Sequence, residues 1–192
     1  MKTGIIVIIL LVLLGFFGCS KYNGMVKSDE NVQKAWGNVE TQYQRRADLI
    51  DNLVSTVKGS ANFEQETLTK VIEARSKASS VQVNANDLSP ENIAKFQQAQ
   101  SELGGALSRL LVTVEQYPQL RTTEQFQTLM AQLEGTENRI AVARNDFNTA
   151  VNGFNSTIRT FPNNLIAGIG GFKEKGYFKA AEGSDKAPKV QF

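Results

Sequence analysis

The residue types that carry most protein chemistry are scarce in this chain. Its 192 residues contain no histidine and one cysteine, Cys19. That excludes a Ser-His-Asp or Cys-His nucleophile, an imidazole acid or base near pH 7, a zinc site with a histidine ligand, intrachain disulfides and CxxC metal knuckles. No metal site and no cofactor is expected. Carboxylates and guanidinium groups remain. Asp48 and Asp51 lie one helical turn apart, and a carboxylate pair is the minimum for acid–base work. At i and i+3 beside Arg45 they read more simply as charges on a solvated helix face, with Asp48 paired to Arg45. The expectation is no enzymatic activity. A carboxylate-based hydrolase using Asp48, Asp51 or Glu115 is the remote alternative, and it requires a concave pocket that gathers them.

Three charged residues stand where apolar ones are due. Counting by sevens through Val32, Val39 and Leu53 passes through Arg46, and the series Leu133, Ile140, Phe147 is interrupted by Glu137 and Arg144. An ionised side chain does not sit unpaired in a core, so an Arg46–Glu137–Arg144 cluster is expected if the two helices are neighbours. Fixing helix registry is its simplest role, with a binding site as the alternative.

The elements that would position these residues are helices. No segment alternates at period 2, and four long stripes recur at three- and four-residue steps. The first spans 28–58, with Val32, Trp36, Val39, Tyr43, Ile50, Leu53 or Val54, and Val57, and Gly59 as its stop. A second opens at Asn62 in a capping-box spacing with Gln65 and carries Phe63, Leu68, Val71, Ile72, Ala78 and Val81. Ser89-Pro90 starts a third, running Ile93, Phe96, Leu103, Leu107, Leu110, Val114, Tyr117. A fourth, capped by Thr122, runs Phe126, Met130, Leu133, Ile140, Phe147, Val151, Phe154, Ile158, Phe161. Pro90, Pro118 and Pro162 all fall at boundaries, which suits a residue that costs about 3 kcal/mol inside a helix. Gly104-Gly105 is expected to mark a close helix crossing or a kink, with a hinge as the alternative. The fold class is all-α, an elongated antiparallel four-helix bundle over 28–162.

The N-terminus is a membrane signal. Met1-Lys2-Thr3 precedes the uncharged run Gly4 to Phe17, which ends at Gly18-Cys19-Ser20. Gly4 to Cys19 rises only about 24 Å as a helix, short of a hydrocarbon core of about 30 Å. Residues 1–18 are therefore expected to be a cleaved lipoprotein signal with Cys19 as the lipidated first residue. A short uncleaved anchor extended to Tyr22 is the alternative. Residues 19–27 read as a tether, and 163–192 as a tail containing glycine and lysine, whose Leu165 to Phe172 segment lies near the lipid. The charges, 21 Lys+Arg against 19 Asp+Glu, carry no nucleic-acid footprint. Asn155-Ser156-Thr157 formally fits a glycosylation acceptor, but it sits inside a helical stripe and carries no weight.

The words Tyr22-Asn23-Gly24-Met25-Val26, Ala35-Trp36, Arg45-Arg46-Ala47-Asp48-Leu49-Ile50, Asn52-Leu53-Val54 and Thr56-Val57-Lys58-Gly59 closely resemble the LemA family. So do Tyr117-Pro118, Leu133-Glu134-Gly135-Thr136-Glu137-Asn138-Arg139-Ile140, Ala143-Arg144, Phe147-Asn148, Phe154-Asn155, Phe161-Pro162 and Gly171-Phe172. The resemblance covers about Tyr22 to Phe172. Asp51 departs from it, since the family usually has proline before Asn52. It implies a membrane-anchored bacterial protein with an elongated helical bundle and no established catalytic residues. The expected function is a non-enzymatic envelope scaffold, attached to membrane lipid through its N-terminus, with the bundle outside the cytoplasm and envelope proteins as partners. A membrane-stress or remodelling factor is the alternative, and it needs an exposed apolar face beyond the core stripes.

Overall fold

A computed structural model describes residues 2–59 and 63–180. The described residues form α1 (Lys2–Lys58), α2 (Gln65–Ser80), α3 (Pro90–Val114), α4 (Pro118–Arg121), α5 (Glu124–Arg159) and α6 (Asn163–Gly170), with no strand among them. The four long helices are the four sequence stripes. α1 packs most extensively along α5 and α2 along α3, and α6 closes one end against both α1 and α5. The α1–α5 pair is antiparallel. Trp36 meets Phe147, and Arg46 meets Glu137, contacts ten residues apart on each helix with the numbering running in opposite directions.

The stripes are buried as their spacing requires. Val32, Trp36, Val39, Ile50, Leu53 and Val57 of α1, Ile93, Leu103 and Leu110 of α3, and Phe147, Val151 and Phe154 of α5 are almost fully enclosed. Each such side chain contributes about 1.5–3 kcal/mol. They form two cores. The one nearer the N-terminal apolar run centres on Trp36, Phe96, Phe147 and Phe154, and the distal one on Ile50, Leu53, Leu103, Leu110 and Leu133.

Several boundaries and placements differ from the expectations. α1 runs without a break through residues 19–27, so the expected tether is helical and the apolar run is continuous with the first bundle helix. α2 opens at Gln65 after Glu64, and the proposed cap Asn62 lies outside the described residues, as does 181–192 of the tail. α3 ends at Val114, and Pro118 opens the short α4, which takes Thr122 as its C-cap. The α5 cap is therefore Thr123, whose hydroxyl accepts the Phe126 amide hydrogen at 3.4 Å. Ile72 is exposed rather than in the seam. Phe161 is 81% exposed because α5 has already ended at Arg159. The largest correction concerns the tail. Residues 163–180 belong to the fold, as α6 followed by an extended strap laid back along the bundle.

Candidate functional site

Between the two cores lies a polar layer. Arg46, Gln100 and Thr136 are buried there, one each from α1, α3 and α5. The Arg46 Nε stands 2.9 Å from Glu137 Oε1. It is an ion pair by distance, without the alignment of a hydrogen bond. Its burial is one-sided, because the Glu137 side chain is 46% exposed. Gly104 explains part of the layer. α3 passes it without interruption, so the glycine pair does not break the helix. A Cβ at Gly104 would lie 3.2 Å from Arg46 Nη2, so its missing side chain is what lets the guanidinium rest against α3.

Arg144 does not complete the expected three-residue cluster. Its Nη2 donates to the Lys179 carbonyl at 2.9 Å, and its guanidinium lies 4.8 Å over the Phe178 ring. A cation over an aromatic face and a carbonyl acceptor satisfy it better than a second position beside Glu137 would. Burial pushes the neighbouring Tyr43 phenol above its ordinary pKa, and Arg144 and then Arg46 oppose that rise.

The strap that Arg144 reaches is held by side-chain amides. Asn155 donates to the Lys175 carbonyl and accepts the Lys175 amide hydrogen, both at 2.9 Å. Asn148 makes the same pair of bonds with Phe178, also at 2.9 Å. Gln97 of α3 repeats it with Lys179, at 2.8 and 3.0 Å. The spacing is a match of periods. Seven residues of α5 rise about 10.5 Å, and three residues of extended chain span about 10 Å, so Asn148 and Asn155 meet strap residues 178 and 175. These bonds go to backbone atoms. They satisfy a segment that has no strand partner.

Side chains then fix which residues sit there. Phe178 is buried, stacked at 6.1 Å on Trp36 and edge-on at 5.4 Å to Phe147. Lys175 pairs with Asp29 at 2.9 Å. The Gly176 amide donates to the Leu88 carbonyl, and a Cβ there would come within 2.6 Å of Pro90 Cα, so only glycine allows this approach. The strap closes the gap between α3 and α5 on the side nearer the N-terminal apolar run. Beyond Lys179 no described residue covers the gap, which forms first a cleft of about 610 Å³ lined by Arg46, Gln100, Gly104, Glu137 and Arg144. It continues distally as a more apolar cleft of about 830 Å³ with Leu107, Leu111, Phe126, Met130 and Leu133 on its walls.

Asp48 and Asp51 stay one turn apart on α1 but have different partners. Asp48 accepts from Gln44 rather than Arg45, at 2.8 Å. Asp51 pairs with Arg75 of α2, so the position that departs from the family's proline ties α1 to α2. Glu115 is the C-cap of α3. Cys19 is exposed on α1. The residues missed in the sequence are Gln97, Asn148, Asn155, Gly176 and Phe178. One signal was there to be used, a Phe-Asn dipeptide recurring seven residues apart at 147–148 and 154–155. An aromatic on the seam followed by an amide places that amide on the seam's edge, where it can take a passing backbone.

The fold and this site define an all-helical bundle protein whose first helix carries, at its N-terminal end, a stretch apolar enough to cross a membrane. The chain belongs to the LemA family, whose model matches residues 35–192. It is 30% identical to magnetosome protein MamQ 2 of Paramagnetospirillum magneticum, over 86% of this chain and 67% of that one. Magnetosome protein MamQ of Magnetospirillum gryphiswaldense is 28% identical over the same shares. Protein LemA of Metamycoplasma hominis is 26% identical over 79% of this chain and 66% of its own length.

Proposed function

We propose that this LemA-family chain is a membrane-attached, non-enzymatic scaffold of the cell envelope. The observation that carries it is the continuity of α1, a single helix from Lys2 to Lys58 whose first part is apolar and exposed and whose remainder is a bundle core helix. At 1.5 Å per residue the part of it from Cys19 to Lys58 is about 60 Å long. A post of this kind holds its distal end at a fixed height and orientation. The strap adds to the rigidity by tying α3 and α5 together. The surface best placed to meet an envelope partner is the distal α3–α5 cleft, which the described part of the strap does not cover.

Attachment takes place through lipid on Cys19 after removal of residues 1–18, since the sole cysteine directly follows Gly18 at the end of a run shorter than a bilayer. Intact mass of the membrane-extracted protein tests this. An acylated N-terminus at Cys19 supports it, and an unmodified chain beginning at Met1 replaces it with the uncleaved anchor that the unbroken α1 would form. For the scaffold itself, Met130→Glu and Leu111→Glu change the cleft wall. Capture of one reproducible envelope partner by the wild type, lost in both variants at unchanged helicity, supports the proposal. Turnover of a substrate that depends on Asp48, Asp51 or Glu115 overturns it.

A further inference from the structure

The helix α6 presents an apolar face that none of the described residues covers. Leu165 and Ile169, one turn apart, are 60% and 91% exposed, and Phe161 just before the helix is 81% exposed. The opposite side is anchored. Ala167 is buried, and Ile166 packs against the proximal core that contains Met25 and Ile158. A helix held by one face and apolar on the other is amphipathic in the wrong sense for water.

Its position supplies the occupant. Phe172, at the end of α6, lies 5.5 Å from Tyr22, and a Cβ on Gly170 would touch the same Tyr22 ring. Tyr22 is five residues past Phe17, where the exposed apolar run of α1 ends, or about 8 Å along the helix axis. Because that run is short for a bilayer, the hydrocarbon boundary falls at about Cys19 to Tyr22. α6 therefore lies at headgroup level. The same height results if Cys19 is acylated, since Cys19 is less than one turn from Tyr22. Lysines flank this level. Lys21 sits 5.3 Å over the Phe17 ring, and Lys27 and Lys173 are exposed, while Arg159 is neutralised by Glu174 at 3.7 Å. A tyrosine at the boundary, basic residues beside it and large apolar side chains facing outward are the makings of an interfacial helix.

We infer that α6 is a membrane foot, with Phe161, Leu165 and Ile169 inserted into the interfacial layer of an anionic bilayer beside the attached end of α1. This rests on the proposed membrane attachment. The foot gives the bundle a second contact, so that the post cannot swivel freely about its anchor.

The test uses the full chain incorporated in vesicles of phosphatidylcholine and phosphatidylglycerol brominated at acyl carbons 6 and 7. Ile169→Trp and, on the same face, Leu165→Trp place a fluorophore on the foot. Val142→Trp places one on the exposed side of α5, and the native Trp36 is a constant buried background. The expected result is co-flotation of all three variants, with emission from Trp at 169 or 165 reduced about twofold by bromine and the Val142→Trp signal unaffected. Co-flotation without quenching at 169 and 165 overturns the foot and leaves the attachment standing. Blue-shifted but unquenched emission overturns it in favour of a protein cover. Failure of every variant to float overturns the attachment, and the foot with it.

Discussion

Removing the anchor of the strap tests whether the strap behaves as one unit. Phe178→Ala takes a buried ring away from Trp36, Phe147 and the Arg144 guanidinium. A Phe→Ala change in a core costs about 3–5 kcal/mol. Asn148→Ala removes two hydrogen bonds to the Phe178 backbone, together about 1–3 kcal/mol. If the two effects were independent, the double variant would lose about 4–8 kcal/mol. If the strap is bound as a unit, Phe178→Ala already releases it. The Asn148 bonds then no longer exist to be lost, so the double variant should match Phe178→Ala to within about 0.5 kcal/mol. Urea denaturation followed by fluorescence of Trp36, the sole tryptophan, measures all four corners of the cycle. Trp36 reports directly, since Phe178 covers it. Tryptic cleavage after Lys175, whose side chain is 11% exposed, gives a second measure of release. Additive losses with Lys175 still protected in Phe178→Ala would refute the single-unit strap.

Three further outcomes follow from the same geometry. Gly176→Ala should release the strap as Phe178→Ala does, because its Cβ would lie 2.6 Å from Pro90 Cα, and hydrogen exchange at the Lys175, Phe178 and Lys179 amides would show loss of protection. Glu137→Ala should cost about 1–3 kcal/mol by leaving buried Arg46 without its carboxylate, against about 0–1 for exposed Glu134→Ala; equal denaturation midpoints would refute the one-sided pair. Tyr43 is held protonated in the fold by burial, so its contribution is fully present below the ordinary phenol value of about 10 and lost as pH rises through the raised folded value. Tyr43→Phe should flatten this part of the alkaline stability loss, measured as the midpoint of unfolding against pH.

The sequence by itself determined the elements whose signals are local. Stripe spacing and the boundary prolines specify four helices, because a 3.6-residue period and a missing amide act on each helix separately. The apolar run before Cys19 marks the end apolar enough to enter a membrane for the same reason. Even the Arg46–Glu137 pair was legible, since two charges interrupting two apolar series need each other. Tertiary structure decided what depends on a neighbour. Arg144 shares the seam with Glu137 yet bonds to Lys179, a choice made by where the strap passes. Gly104 looks like a weak point in a helix until Arg46 is laid against it. The strap has no period of its own, since its backbone bonds go to Gln97, Asn148 and Asn155 rather than to another strand. Its docking arises only when α3 and α5 bring those amides to one gap.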